Sequence, residues 1–204
     1  MCLKTIELDV EPAPLPPAVR NLLDDADRRI EAFQHTHRER PFAAFVPCDF
    51  VMAYHALTQV GTLSLATGRR FAEWGSGAGV VACLAASLGW DAVGIEIEGE
   101  LVDLAEDLAE DHGFEVEFVR ASFLPPGLPL DSYEQRDVNW LATDGPDAYD
   151  EIGLDPDDFD LVFAYPWPGE EHAVFDAFSQ SAGDGALLLT YHGQEGVALR
   201  RKMR

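Results

Sequence analysis

Residues 71–89 read FAEWGSGAGVVACLAASLG and give the strongest indication of the fold. Its first four residues predict a short strand, which ends in the glycine cluster Gly75-Ser76-Gly77-Ala78-Gly79. The small apolar residues from Val80 to Leu88 predict a helix that Gly89 closes. A strand, a glycine-rich turn and a helix in this order bring a ligand close to the backbone, because glycine has no Cβ and tolerates positive φ.

The rest of the chain repeats this alternation of strand and helix. Further strands are predicted at 92–97, 116–119, 161–164 and 186–190, and helices at 100–111 and 171–181. This order predicts an α/β fold with a doubly wound, mostly parallel sheet and helices on both faces. Because only about a dozen residues follow the last of these strands, we expect a sheet that is short at one edge or completed by a partner in a homodimer.

Two segments stand outside this alternation. Residues 1–68 are predicted to form an N-terminal helical cap ahead of the domain at 69–204, with helices from Ala18 to about Thr36 and after Asp49. Residues 121–158 form an acidic insert that is too long for a plain connection. The insert is either a surface excursion or a lid beside the ligand crevice, and we expect its acids on the side where a substrate arrives.

Charge and composition restrict the partners. The chain has 37 acidic residues, 14 basic residues and a net charge of −23, which repels phosphate backbones and argues against a nucleic-acid partner. No apolar run is long enough for a membrane span, and the first ten residues lack the core of a signal peptide. Three widely spaced cysteines indicate free thiols, so a cytoplasmic protein is expected. The six histidines form no i,i+4 pair or Cys/His set, so no structural metal is expected.

The pattern Glu73-x-Gly75-x-Gly77-x-Gly79 resembles motif I of the class I S-adenosylmethionine-dependent methyltransferases. The resemblance covers roughly residues 71–192 and implies a Rossmann-like fold with S-adenosylmethionine as cofactor. It implies that Glu73 helps to hold the amino end of the cofactor's methionine, while the turn from Gly75 through Ser76 to Gly79 passes close beneath it. Nicotinamide-binding folds place a third glycine where this chain has Val80, which argues against a nicotinamide-linked enzyme.

Two further positions carry the cofactor prediction. Glu96 lies near the end of the second strand, just before Ile97, and a carboxylate there can accept hydrogen bonds from both hydroxyls of an adenosine ribose. The resemblance implies this role for Glu96, with Ile97 beside it in the cofactor site. After the next strand the family often has an acid that binds adenine, but this chain has Ser122 and Phe123. We expect Ser122 to hydrogen-bond adenine and the Phe123 ring to stack on it.

The acceptor site is predicted at Tyr165-Pro-Trp-Pro168, after the fourth strand. Methyltransferases that act on planar amino groups often carry a related tetrad with a leading Asp or Asn, which is missing here, so a nucleobase acceptor does not follow. Tyr165 and Trp167 are expected to wall the site and to favour a cationic transition state, with Tyr165 also contacting the cofactor. Glu170 and Glu171 either orient an ammonium or accept its proton, or they only occupy the first turn of the next helix.

Two other segments have alternative interpretations. His192 follows the fifth strand at the ligand-binding edge and is a candidate general base, unless it only closes that strand. Phe45-Val-Pro47 resembles a segment that covers the cofactor in some protein-lysine methyltransferases, and packing against the first helix is the alternative.

The sequence thus predicts a methyltransferase whose acceptor is a protein lysine or a small amine. The alternative is a catalytically silent module of the same fold that docks a basic partner through its acidic surface. Methyl transfer from the cofactor distinguishes these two functions.

Overall fold

A computed structural model describes residues 2–11, 13–38, 45–125, 127–128 and 145–204. The strands are β1 (Cys2–Ile6), β2 (Arg70–Trp74), β3 (Asp91–Glu96), β4 (Val116–Arg120), β5 (Leu161–Ala164), β6 (Leu187–Tyr191) and β7 (Val197–Met203). The α-helices are α1 (Pro17–Thr36), α2 (Phe50–Thr62), α3 (Val80–Ser87), α4 (Gly99–His112), α5 (Ala148–Ile152) and α6 (Glu171–Ser181). Within these residues, no helix is long and apolar enough to cross a bilayer.

The strands form one seven-stranded sheet in the order β1-β7-β6-β5-β2-β3-β4. Strands β2 to β6 pair in parallel, and only the pairs of β7 with β6 and with β1 are antiparallel. Successive strand residues point to opposite faces, so Phe71 packs with α1 to α4 while Ala72 packs with α5 and α6. The predicted doubly wound α/β class with helices on both faces is confirmed.

The edge of the sheet beyond β6 differs from the prediction. Strand β7 pairs with β6, and β1 from the N-terminus pairs with β7 from Cys2 opposite Met203 to Ile6 opposite Leu199. The N-terminal segment therefore contributes a strand as well as helices, and the chain itself completes the edge. The expectation of a short edge, or of one completed by a partner chain, was wrong. The homodimer was expected only to complete this edge, so that argument for it no longer applies.

The two N-terminal helices begin within one residue of the predicted positions. Pro17 stands at the first position of α1, where the missing N–H has no helical partner to lose, and Asp49 caps α2 by accepting a hydrogen bond from the Met52 N–H at 2.9 Å. Helix α1 packs its apolar side against the core, and polar contacts connect it to the acidic helix α4. Arg29 forms an ion pair with Asp111, and the Nε2 of His37, the residue after α1, lies 2.7 Å from Glu100 Oε2.

The described ends of the predicted insert pack against the body. The Tyr149 hydroxyl on α5 donates to the Phe123 carbonyl oxygen at 2.8 Å, and both residues belong to the core on the α6 side. Asp155 and Asp158 form a reciprocal capping box around a short 3-10 turn, and Asp158 also pairs with Arg70 at 2.8 Å. Residues 129–144, which include Trp140 and Leu141, lie outside the described residues, so the choice between lid and surface excursion stays a prediction.

Candidate functional site

The glycine turn between β2 and α3 has a left-handed backbone at three positions. Gly75, Gly77 and Gly79 have φ values of +71°, +52° and +69°, a region that strains any residue with a Cβ. A Cβ on Gly79 would lie 2.5 Å from the Phe118 ring, and one on Gly77 would lie 2.7 Å from the Phe45 ring. A Cβ on Gly75 would meet nothing within 4 Å, so this residue leaves space open above the turn.

The Glu96 carboxylate connects the end of β3 to this turn. Its Oε2 accepts the Gly77 N–H at 2.8 Å, and its Oε1 accepts the Ile97 and Glu98 N–H groups at 2.8 and 3.0 Å. Burial raises the pKa of Glu96 and the charge of Glu98 adds to this, while the three backbone donors lower it. The carboxylate is therefore held in one orientation by the backbone of two loops.

Glu73 occupies the interior beneath the turn. Its Oε2 accepts the Ala82 N–H at 2.8 Å, so the side chain satisfies one of the free donors in the first turn of α3. Burial raises the pKa of Glu73 well above the usual value, and the nearby Glu96 charge acts in the same direction. A cationic ligand next to this buried carboxyl would favour its ionised form.

A cavity of about 1010 Å³ opens at the carboxyl ends of β2 to β6. Open α/β sheets bind their ligands at this edge. The cavity brings together twelve of the predicted site residues: Glu73, Gly75, Ser76, Gly77, Glu96, Ile97, Ser122, Phe123, Tyr165, Trp167, Glu170 and His192. Gly79 is absent from the lining, because it packs under Phe118 and Ala105 and serves the contact between α3 and the sheet.

The residues predicted to bind adenine already have protein partners. The Ser122 Oγ accepts the Leu124 N–H at 3.2 Å, and the Ser122 N–H donates to the Pro146 carbonyl oxygen. The Phe123 ring stacks on Trp74, with centroids 5.1 Å apart and planes 12° apart. One face of Phe123 is thus covered, and the expected stacking on adenine would have to use the other face.

The loop after β5 lines the half of the cavity where the acceptor was predicted, and this half is called the acceptor half below. Tyr165 packs edge-on against Tyr191, with ring centroids 4.8 Å apart, and the Trp167 side chain is half-buried. Glu170 is buried at the N-terminus of α6, and Glu171 accepts the Gly169 N–H at 2.8 Å. Both glutamates line the cavity and also lie at the start of α6, so the choice between the two interpretations of their role stays a prediction.

His192 lies at the end of β6 and is half-buried. Its Nε2 lies 2.7 Å from the Thr190 Oγ1, and its backbone N–H donates to the Gly196 carbonyl oxygen at 2.8 Å. Burial lowers the pKa of His192 and the Arg200 charge lowers it further, against the opposing charges of Glu171 and Glu195. The ring is thus anchored to the strand and also lines the cavity, and whether it acts as a general base or only closes the strand stays a prediction.

The segment after α1 covers part of the turn. Phe45 packs over Gly77 and meets Phe33 of α1 edge-on, with centroids 6.1 Å apart. Phe45, Pro47 and Cys48 also line the cavity. Phe45 therefore packs against α1 and also lies over the glycine turn at the cavity.

The lining is acidic. It contains seven glutamates, and the described part of the chain contributes no Lys or Arg to it. The acids of the acceptor half are Glu170, Glu171 and Glu195, whereas Asp155 and Asp158 stand outside the lining and hold the local turn of the insert. The expectation that the insert supplies the acids at the substrate side is not met by its described ends.

Some lining residues were not predicted from the sequence. Trp74 directly precedes the glycine turn, a position that could have indicated it. Glu195 lies in a 3-10 turn at Gly193–Glu195, and nothing in the local sequence indicates that this turn folds back towards Tyr165.

No protein-family model matches the sequence, and no curated protein sequence matches it. Solved structures match the fold. The O-methyltransferase from Bacillus cereus is 18% identical with a TM-score of 0.50, over 87% of this chain and 66% of that chain. MtNAS, in a mutant form, is 14% identical with a TM-score of 0.51, over 91% and 73% of the two chains. The chain has the class I S-adenosylmethionine-dependent methyltransferase fold.

A third structure of this methyltransferase fold shows the same level of likeness. A 16S rRNA methyltransferase from T. Thermophilus is 15% identical with a TM-score of 0.51, over 80% of this chain and 45% of that chain. The present chain thus spans between 45 and 73% of the length of these three solved chains.

Proposed function

We propose that this protein transfers a methyl group from S-adenosylmethionine to an amine, either a protein lysine or a small molecule. The observation that carries the proposal is the Glu96 carboxylate, which is held beside the glycine turn and lines the cavity. Two solved chains of the same fold support this cofactor, because one is a complex with SAH and the other a complex with S-adenosylmethionine.

The residues present fit this cofactor. The Ser76 Oγ is buried in the cavity lining and has no hydrogen-bond partner among the described residues, although such a group is costly to leave unpaired. Gly75 leaves open space above the turn, where a ligand can approach the backbone. The Ser76 hydroxyl, which has no partner among the described residues, and the open space at Gly75 are what a binding site for a polar ligand would provide.

Glu96 would bind the ribose of the cofactor. A carboxylate offers about four acceptor positions, and three are used by the Gly77, Ile97 and Glu98 N–H groups. One ribose hydroxyl fits without rearrangement, whereas a second would have to share an oxygen with a backbone donor. Glu73 would face the cationic amino end, where ionisation of its buried carboxyl is favoured.

The cofactor supplies a sulfonium-bound methyl group, and the chain's own residues orient the acceptor. Tyr165 and Trp167 line the cavity, where their rings would attract a cationic amine, and Glu170 would accept hydrogen bonds from its ammonium group. Most of the rate enhancement can come from this positioning and from the exclusion of water. The absence of Lys and Arg from the described lining disfavours a phosphate-bearing acceptor such as a nucleic acid.

The first experiment is calorimetric titration of the protein with S-adenosylmethionine. Glu96→Ala removes at least one charge-assisted hydrogen bond and is expected to weaken binding about 10- to 100-fold. Glu117→Ala is the matched control, because Glu117 is exposed on β4 and outside the lining. A wild-type protein that does not bind, or equal binding by both variants, contradicts the cofactor assignment.

Ser76→Ala gives an independent test. Removing a buried hydroxyl that has no partner is expected to leave the melting temperature unchanged or higher, because the unpaired group is a cost to the free protein. The same change is expected to weaken cofactor binding. A lower melting temperature with unchanged cofactor affinity would show that Ser76 serves the fold alone.

The acceptor is tested by transfer of a labelled methyl group to two probes, butylamine and an N-acetylated lysine peptide. Labelling of either probe supports the amine assignment. Cofactor binding without transfer to either, together with retention of a basic protein in pull-down, would support the silent binding module instead.

A further inference from the structure

Thr190, Arg200 and Phe175 form a connected set of contacts around His192. The fully buried Thr190 places its Oγ1 2.7 Å from the His192 Nε2. Arg200 on β7 donates from Nη1 to the same hydroxyl at 3.2 Å, and its guanidinium carbon lies 4.2 Å from the centre of the Phe175 ring. Phe175 on α6 in turn lies beside His192, with ring centroids 6.5 Å apart.

The Thr190 hydroxyl decides how the imidazole is protonated. A hydroxyl has one hydrogen and two lone pairs, and this one has three contacts: Arg200, His192 and the Ala198 carbonyl oxygen at 3.4 Å. Arg200 can only donate and the carbonyl can only accept. All three contacts are therefore used together in one arrangement, in which His192 donates its Nε2–H to Thr190. The proton-free nitrogen is then Nδ1, which has no hydrogen-bond partner among the described residues.

Partial burial of the His192 ring and the charge of Arg200 both favour its neutral form. Arg200 lies on β7, from where its charge opposes a second positive charge on the ring. Glu171 at the start of α6 and Glu195 in the 3-10 turn act in the opposite direction, and Thr190 and Phe175 carry no charge. Burial and Arg200 outweigh the two glutamates, so the pKa of His192 lies below its ordinary value.

We propose that Thr190 and Arg200 are positioning residues that hold His192 as a neutral Nε2–H tautomer, so that its Nδ1 removes the proton from an ammonium acceptor. This role rests on the proposed function, whereas the tautomer does not. The acceptor's N–H bond breaks and its proton goes to Nδ1. The freed nitrogen lone pair then forms a bond to the methyl carbon, and the electrons of the carbon–sulfur bond stay on sulfur. The imidazolium returns its proton to water, with no rearrangement of the Thr190 contacts.

The tautomer and the charge of His192 are measured by nitrogen NMR on protein labelled at its six histidines, without cofactor. His192→Asn identifies the resonance by its loss. We expect a neutral ring protonated at Nε2, which titrates below the ordinary histidine pKa. Thr190→Val is expected to release this tautomer, whereas Thr190→Ser keeps the hydroxyl and should preserve it. A ring protonated at Nδ1 in the wild type would overturn the proposal.

The contribution of Arg200 is measured in the same way. Arg200→Gln removes the cation and is expected to raise the His192 pKa, while Arg200→Lys keeps the charge and should leave it low. In methyl transfer to butylamine or the lysine peptide, activity falls as pH drops through this pKa, because an imidazolium cannot accept a proton. The fall should therefore begin at higher pH in Arg200→Gln, and His192→Asn should lose roughly 100-fold or more in rate.

The outcomes separate this inference from the proposed function. An unchanged His192 pKa in Arg200→Gln, or full methyl transfer by His192→Asn, would overturn the role of these contacts. Failure of the wild type to bind S-adenosylmethionine would overturn the proposed function and with it the base role of His192. The NMR measurements would still decide the tautomer.

Discussion

Replacing Gly75 by alanine separates the ligand-binding role of the glycine turn from its conformational role. Gly75 and Gly113 have nearly equal φ values, +71° and +68°, and a Cβ on either would meet nothing within 4 Å. Gly113 ends α4 and lies outside the cavity lining, whereas Gly75 is part of that lining. Gly113→Ala is therefore a matched control that carries the same backbone strain without touching the ligand site.

The magnitudes follow from the backbone and from the space above it. A residue with a Cβ in the left-handed region costs about 1–2 kcal/mol, and each kcal/mol lowers the melting temperature of a chain of this size by about 2–4 °C. Both variants should therefore melt about 2–8 °C below the wild type. In Gly75→Ala the new methyl group also stands where the cofactor would approach the turn, and we expect the Kd for S-adenosylmethionine to rise at least about tenfold, or 1.4 kcal/mol.

Thermal unfolding and calorimetric titration of the three proteins check this expectation. The two variants should show equal losses of stability, and only Gly75→Ala should show weaker binding. An unchanged Kd in Gly75→Ala would mean that the cofactor does not approach the turn at this residue, and would contradict the prediction. Equal weakening in Gly113→Ala would show that the effect is one of stability.

Three further predictions concern the same cavity. Gly79→Ala should cost about 2–5 kcal/mol in unfolding free energy, because its Cβ would add overpacking 2.5 Å from the Phe118 ring to the backbone strain; a loss equal to that of Gly113→Ala would contradict the packing argument. Because burial raises the pKa of Glu73, binding of a cationic cofactor should release a proton and should become tighter as pH rises. Calorimetry in buffers of different ionisation enthalpy would detect this proton release. A binding heat that does not depend on the buffer would contradict it. Glu170→Gln should raise the KM for the lysine peptide more than the Kd for the cofactor. A larger rise in the cofactor Kd would indicate that Glu170 contacts the cofactor and not the acceptor.

The linear order of elements could be predicted from the sequence because it depends on local patterns. Helix α6 is predicted at 171–181 and is found at Glu171–Ser181, and β5 coincides with its predicted bounds. Apolar spacing, small residues after a glycine turn and an Asp at a helix start are effects of neighbours within a few residues. The predicted ends of other elements differ by one or two residues, where the last hydrogen bond decides the boundary.

Contacts between distant segments could not be predicted in this way. Strand β1 is five residues long and becomes a strand by pairing with β7 at the other end of the chain. Gly79 and Gly77 belong to the same motif, yet Gly79 packs under Phe118 while Gly77 lies in the cavity lining beneath Phe45. Such assignments depend on which side chain of another element fills the adjacent space.

The fold class, the glycine turn and the acid at the end of β3 could be predicted from the sequence alone, because strand, turn and helix preferences and the spacing between them are local properties of the chain. The net charge of −23 also follows from composition, but composition does not show which acidic residues lie at the ligand cavity. The folded arrangement was needed to show which acids line the cavity, where Glu195 joins Glu170, and which neighbours hold His192. The physical reason is that the charge state and hydrogen bonds of a side chain depend on groups that folding brings within a few ångströms, as Arg200 and Thr190 are brought to His192.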